Sequence, residues 1–175
     1  GVANTTALSR RAQVVVAPDT KNASSTLVSI STAQSAATAG DVDLGTTQLT
    51  GGATAGIDLT IDVSSDQQQG GTVTLGQVNN AGGKYLNDLT VTLFNTTDTS
   101  SSQTAGVLKL TGDVKLDANA ASGTDAGSLV VTGGVANTTA LSRRAQVVVA
   151  PDTKNASSTL VSISTAQSAA TAGDV

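Results

Sequence analysis

Gly40-Asp41-Val42-Asp43-Leu44-Gly45 and Gly71-Thr72-Val73-Thr74-Leu75-Gly76 share one pattern at a separation of about 30 residues. Between bracketing glycines, polar and aliphatic residues alternate, the period-2 signature of a strand with one buried face. Each hexapeptide leads to a Gly-Gly turn and then to a second strand. Those strands, Asp58-Leu59-Thr60-Ile61-Asp62 and Asp88-Leu89-Thr90-Val91-Thr92, stand at nearly the same separation as the hexapeptides. A further pair, Gly106 to Val114 and Gly127 to Val135, matches at a spacing of 21. A degenerate period of about 20 to 30 residues therefore runs through the chain, the length of one solenoid coil.

A second, larger period lies over the first. GVANTTALSRRAQVVVAPDTKNASSTLVSISTAQSAATAGDV runs from Gly1 to Val42 and returns unchanged from Gly134 to Val175. Shared fold constraints tolerate substitution at most surface positions, so a verbatim return of this length reports duplication of one unit. Residues 1–133 are one full repeat, and residues 134–175 begin the next, identical one. Both ends fall inside the repeat, as expected of a window from a longer tandem array. Within the copied segment, Val14 to Val16 reads as a strand running into the turn Ala17-Pro18-Asp19-Thr20. In that turn Pro fixes φ and Asp can close an Asx-type hydrogen bond. The next strand is Leu27 to Ile30. Identical copies in a one-dimensional stack are expected to superpose.

One Tyr, one Phe and no Trp or Met leave Val, Leu, Ile and Ala as core material. Such a core is thin and layered. All 13 acidic residues are Asp, and the abundance of Gly, Thr, Ser, Asn and Asp runs against helix and towards strand and turn. The absence of Cys and His removes disulfides and the usual zinc, copper and iron ligands. Residues 1–133 carry 11 Asp against 6 Lys plus Arg, a net charge of −5. An array of such units is acidic, which repels nucleic acid and anionic membranes and attracts divalent cations or basic partners. No strongly apolar run is longer than the three residues of Val14-Val15-Val16, far short of a membrane span.

Each segment of the finer period is too short to bury its own apolar face. Stacking solves this: backbone groups pair with the segment above and below, and aliphatics line up in an internal ladder. Leu59 is expected over Leu89, Leu108 over Leu129, and Val114 over Val135. Lys109, Asp113, Lys115 and Asp117 are expected to face water. The loops Ser65–Gly70 and Thr96–Gly106 are expected to vary in length without disturbing the ladder.

GxVxLG, the Gly-Gly turn and the DLT[VI] strand resemble the repeat regions of filamentous-haemagglutinin-like exoproteins and other giant bacterial extracellular surface adhesins. The resemblance implies a right-handed parallel β-helix forming an extracellular or cell-surface rod with a structural or adhesive role. The right hand also accords with the strong preference of parallel β crossovers. The secretion domain found at the start of such exoproteins has no counterpart in these residues.

Asp41 and Asp43, Asp58 and Asp62, and Asp113 and Asp117 are spaced to share an outer strand face. They are the candidate calcium ligands, since clustered carboxylate oxygens suit Ca²⁺. Against this, the GGxGxDxUx nonapeptide and the EF-hand spacing are both missing, and solvated outward positions of alternating strands are the preferred reading of the pattern. No catalytic or cofactor-binding residue emerges. Some parallel β-helices are polysaccharide lyases or hydrolases, but such sites need convergent carboxylates or cations with aromatic platforms for sugar rings. Tyr85 and Phe94 alone make a poor platform, and no Cys or His is available as nucleophile or base. Arg10-Arg11, returning as Arg143-Arg144, could meet an acidic partner or glycan, or simply pair with nearby Asp. The triplets starting at Asn4, Asn22 and Asn95 fit the N-glycosylation pattern, which is expected by chance in so Asn-, Thr- and Ser-rich a chain.

The reading is all-β: a right-handed parallel β-helix with about five coils per 133-residue repeat, and residues 1–175 one continuous solenoid segment. The expected function is that of a rigid spacer, stalk or surface layer in an extracellular fibre, not an enzyme. Its expected partners are neighbouring identical repeats, with possible lateral or end-to-end self-association and no nucleic acid or membrane insertion. Two alternatives stay open. One is a tandem array of immunoglobulin-like or cadherin-like β-sandwich adhesin modules, and the other a self-assembling filament subunit. A sandwich would ordinarily carry larger aromatics in its core.

Overall fold

The structure, a computed structural model, describes residues 12–16, 27–51, 57–78, 86–96, 102–116, 127–134, 145–149, 163–164 and 175. These residues contain strands and turns and no helix. The strands are β1 (Ala12–Val16), β2 (Leu27–Ser31), β3 (Val42–Gly51), β4 (Ile57–Asp62), β5 (Thr72–Val78), β6 (Leu86–Thr92), β7 (Val107–Leu110), β8 (Val114–Lys115), β9 (Leu129–Thr132), β10 (Gln146–Val149) and β11 (Ile163–Ser164). Sheet A has the order β1-β3-β5-β7-β10, with β8 beside β5 and β11 beside β8. Sheet B has the order β2-β4-β6-β9. From β1 to β7 successive strands alternate between the sheets, and every ladder is parallel.

The alternating sequence explains which side chains go inside. In β4 the pattern Ile-Asp-Leu-Thr-Ile-Asp buries Ile57, Leu59 and Ile61 and leaves Asp58, Thr60 and Asp62 half-exposed. In β7 Leu108 and Leu110 are buried while Lys109 between them is exposed. Parallel pairing in register then lines up like with like. Val28, Leu59, Leu89 and Leu129 form one column of sheet B, and Ile30, Ile61, Val91 and Val131 the next. In sheet A, Val42, Val73, Leu108 and Val147 form one column, and Leu44, Leu75, Leu110 and Val149 another. Aliphatics of both sheets meet in a single buried cluster. Each fully buried Leu, Ile or Val in it contributes roughly 1.5–3 kcal/mol relative to exposure. Phe94, the largest buried side chain, is fully enclosed.

The turns from sheet B back to sheet A are closed by one recurring hydrogen bond. Gly40 N–H donates to the Thr32 carbonyl at 3.4 Å, Gly71 N–H to Val63 at 2.8 Å, and Gly106 N–H to Leu93 at 2.8 Å. At this corner the backbones of neighbouring strands come very close. A Cβ placed on Gly71 would meet the Gly40 carbonyl oxygen, and one on Gly106 would meet the Gly71 oxygen. Only glycine fits at these two positions, which explains the glycine that heads the second hexapeptide and the one before β7.

Leu59 pairs with Leu89 as expected. Leu108 does not lie over Leu129. Leu108 pairs with Val73 and Val147 in sheet A, and Leu129 with Leu89 in sheet B. Val114 pairs with Val78 and Ile163, while Val135 lies outside the described residues. The match between Gly106–Val114 and Gly127–Val135 is thus between strands of opposite sheets. Both bury alternate aliphatics, so they look alike without being neighbours. Along the two sheet paths, the offset between paired residues runs from that of Ile57 with Leu86 up to that of Leu89 with Leu129. In place of about five coils per repeat, sheet A passes from β1 to its sequence copy β10 in four steps.

The two identical copies are not interchangeable. Val14 in β1 aligns with Leu49, whereas its copy Val147 aligns with Leu108. Ile30 and Ser31 end a strand of sheet B, but their copies Ile163 and Ser164 form β11, which joins sheet A beside β8. The first copy is paired with strands that follow it, the second with strands that precede it. Identical sequence adopts the register its available neighbour offers. The turn Ala17–Thr20 lies outside the described residues.

The Ser65–Gly70 loop is not a free insertion. Ser65 is 1% exposed, its hydroxyl donates to the Ala37 carbonyl at 2.8 Å, and Gly70 N–H donates to Thr104 at 2.9 Å. This loop is itself a layer between residues 32–40 and 102–106.

Candidate functional site

Of the candidate calcium ligands, Asp41, Asp43, Asp58 and Asp62 each turn a carboxylate oxygen to backbone N–H groups nearby. Asp41 Oδ1 accepts the Thr72 N–H at 2.7 Å, one strand further along sheet A. Asp43 Oδ1 accepts the Gly45 N–H at 2.9 Å. Asp58 Oδ1 accepts from Asn87 Nδ2 at 2.9 Å and from the Asp88 N–H at 3.2 Å. Asp62 Oδ1 accepts the Ser64 N–H at 3.0 Å and its hydroxyl at 2.8 Å. Asp113 is half-buried between β7 and β8, where its carbonyl accepts the Val78 N–H at 2.9 Å. Asp117 lies outside the described residues. Among the described residues, no three carboxylates gather around a point that could hold a metal ion.

Sequence reasoning missed a second role for the aspartates, that of joining one strand to the next. Asp58 at the start of β4 holds the start of β6, and Asp88 Oδ1 in β6 accepts the Ser128 N–H at 2.8 Å, just before β9. The signal was present: Asp58 and Asp88 occupy the same place in DLTI and DLTV. Charge-assisted bonds of this kind are stronger than neutral ones.

A third cluster ties the turn layers together. Gln103 is fully buried, and its Nε2 donates to the Ser65 carbonyl at 2.7 Å and the Asn95 carbonyl at 3.0 Å. Asn95 Nδ2 donates to Asp66 Oδ1 at 2.6 Å. Nothing in the spacing marks Gln103, because its partners are backbone carbonyls rather than side chains of a recognisable type. Asn95 of the third glycosylation-type triplet is thus half-buried and engaged. Phe94 is fully buried and offers no face to a sugar ring. Asn4, Asn22, Tyr85, Arg10-Arg11 and Arg143-Arg144 lie outside the described residues.

The described surface also displays large aliphatic side chains. Val15, Leu27, Val130, Val147, Val148, Val149 and Ile163 are exposed, and all lie on β1, β2, β9, β10 or β11. No strand from β3 to β8 exposes a large aliphatic among the described residues. No helix of these residues is long and apolar enough to cross a membrane. No protein-family model, no curated protein and no solved structure matches the chain.

Proposed function

We propose that the chain is a segment of a right-handed parallel β-helix that acts as a stiff structural spacer in a long extracellular or cell-surface fibre, without turnover of its own. One observation carries the reading: from β1 to β7 successive strands alternate between two parallel sheets, while each pairs with a neighbour in its own sheet that lies some 30 to 40 residues away. Such connectivity winds the chain around one shared core and extends it by one strand spacing per circuit. The carboxylates support the same reading, since they bind backbone of the same or the next circuit and form no cluster suited to chemistry. Sandwich modules of immunoglobulin or cadherin type are built on antiparallel ladders, and the parallel ladders of all the described strands speak against that alternative.

Small-angle scattering on chains of two, four and six repeats tests this. Four circuits at roughly 4.8 Å each add about 19 Å per repeat. A chain of compact 133-residue modules would add about 36 Å per module by the size scaling of globular domains, with visible flexing at the linkers. An increment near the larger value removes the spacer reading. The filament alternative is favoured by a different observation: among the described residues, the exposed large aliphatics other than Val175 lie on β1, β2, β9, β10 and β11.

A further inference from the structure

We infer that the 133-residue repeat does not close on a whole number of circuits, so that its second copy is carried round the stack by one ladder and shows the same residues on a different side. The inference deepens the spacer reading and rests on it, since it takes the two sheets as parts of one winding stack.

Sheet A consists of two ladders. The first holds residues 42–44, residues 72–75, β7 and β10, and the second holds β1, residues 47–51, residues 77–78, β8 and β11. The register between β3 and β5 breaks between Leu44 and Gln48, where one ladder gives way to the other. Space is short at the break: a Cβ on Gly76 would stand 2.7 Å from the carbonyl oxygens of Gly45 and Thr47. Sheet B supplies a third ladder. With three ladders the path of the chain has no exception among the described strands. From β1 onward it visits the second ladder of sheet A, then sheet B, then the first ladder of sheet A, and keeps this order through to β11.

The identical copies enter this order at different points. β1 lies in the second ladder and β2 in sheet B, whereas β10 and β11, which repeat their sequences, lie in the first and second ladders. Eleven steps of the order lead from β1 to β10, where four whole circuits of three ladders would take twelve.

The pleat lets one sequence serve two places. Val16 is buried in line with Gly51, and its copy Val149 stands in line with the fully buried Leu110. Ile30 stands in line with Ile61, and its copy Ile163 with Val114, both of them fully buried. Val15 and its copy Val148 are outward and exposed. Both placements thus turn the same alternate residues to the core, as the two-residue period of a strand demands. The connection is equally tolerant. The sequence that follows Val16 leads from the second ladder to sheet B, and the same sequence after Val149 leads from the first ladder to the second. The entropy cost of closing a loop rises only slowly with its length, so one connector can span either corner. Carried from repeat to repeat, the step returns a given residue to its own ladder only at the third. A surface feature of the repeat is then spread evenly around the stack instead of recurring along one side.

The chain has no cysteine, so pairs of engineered thiols in the full chain report the ladders directly. Residues in register on neighbouring strands stand about 4.8 Å apart, within disulfide reach. Lys109→Cys with Val148→Cys tests the first ladder, because Val148 pairs with Lys109. Lys115→Cys with Val148→Cys tests the place Val148 would take if the second copy kept the ladders of the first. There the column Val14-Leu49-Val78-Val114 would continue to Val147 and set Val148 on Lys115. Lys109, Lys115 and Val148 are all exposed, so neither pair disturbs the core. Ser29→Cys with Thr60→Cys, in register in sheet B, places the first copy. After mild oxidation at low protein concentration, peptide mass mapping is expected to show intrachain disulfides in the first and third pairs and none in the second. Closure of Lys115→Cys with Val148→Cys in place of the first pair would mean that the repeat closes on whole circuits. Closure of both alike would mean that the second copy has no fixed ladder, and closure of neither that it does not join the stack at β10. Failure of the third pair would remove the first copy from sheet B. Each of these four results overturns the inference. The spacer reading falls separately, on the scattering increment: a rod whose second copy keeps the ladders of the first retains that reading and loses this one.

Discussion

Asp88 in β6 reaches forward 40 residues to accept the backbone N–H of Ser128 at 2.8 Å, and its own N–H is held by Asp58 in β4 at 3.2 Å. Neighbouring strands of sheet B are thereby joined at their starts by side chains as well as by the ladder. Asp88→Ala removes one acceptor of a charge-assisted bond and is expected to cost about 1.5–3 kcal/mol. Asp88→Asn keeps an acceptor oxygen in place and should lose less than half of that. Urea denaturation of the two variants checks it, and equal losses would mean that the bond to Ser128 carries no weight.

Leu108 is fully enclosed, with Lys109 exposed beside it. Leu108→Asp is expected to destabilise by several kcal/mol, because a carboxylate enters an aliphatic column with no partner. Lys109→Asp should change stability by no more than about 0.5 kcal/mol. Thermal melts of the two variants separate the cases, and similar shifts would refute the inward and outward assignment.

Gln103 donates from its amide nitrogen to the carbonyls of Ser65 and Asn95 in a fully buried position. Gln103→Glu replaces that nitrogen with an oxygen that, when the group is ionised, can only accept. Burial against two carbonyl oxygens raises the folded-state pKa of the new carboxyl above its unfolded value of about 4.3. The penalty is therefore largest above the folded pKa, shrinks as pH falls through it, and levels off below about 4.3. Stability measured against pH should show the difference between variant and parent narrowing on acidification. A constant difference would show that the glutamate does not sit in the Gln103 pocket.

Gly71→Ala drives a methyl into the Gly40 carbonyl oxygen, a backbone atom that no side-chain rotation can move aside. A loss of about 1–3 kcal/mol or more is expected. At Gly40 an added Cβ meets only the Thr32 side chain at 3.4 Å, so Gly40→Ala should be far milder. Comparing the denaturation midpoints of the two alanine variants checks the corner geometry.

The strands were legible because their causes are local. Ile57-Asp58-Leu59-Thr60-Ile61-Asp62 alternates so regularly that both its extent and its buried face follow from the sequence. The pairing of Leu59 with Leu89 followed too, because both strands carry the same DLT motif at the separation at which the strands pair. The pairing of Leu108 was not legible, since alternation records that a face is buried and not in which sheet. Similarity between the strand at Val107 and the strand at Leu129 reflects a shared chemical task. The fates of the two identical copies were beyond any reading of sequence: Val14 and Val147 differ only in which neighbour is at hand. At the carboxylates, outward spacing suggested an ion, while the backbone amides they cap are set by the fold. Gln103 left no trace, because its two acceptors are peptide carbonyls that every residue has.

The strand order of sheet A carries a mechanical consequence. β1 and β10 are separated by the parallel strands β3, β5 and β7, so tension applied between them pulls across the ladder and loads it one strand at a time. Under such a load the hydrogen bonds open in sequence like a zip instead of shearing together. Yield is expected in small, repeated steps, each freeing one strand of sheet A and the segment that joins it to the next, or roughly 100–140 Å of extended chain. The chain would lengthen under sudden strain while its remaining strand pairs stay intact, absorbing the work as a shock absorber does.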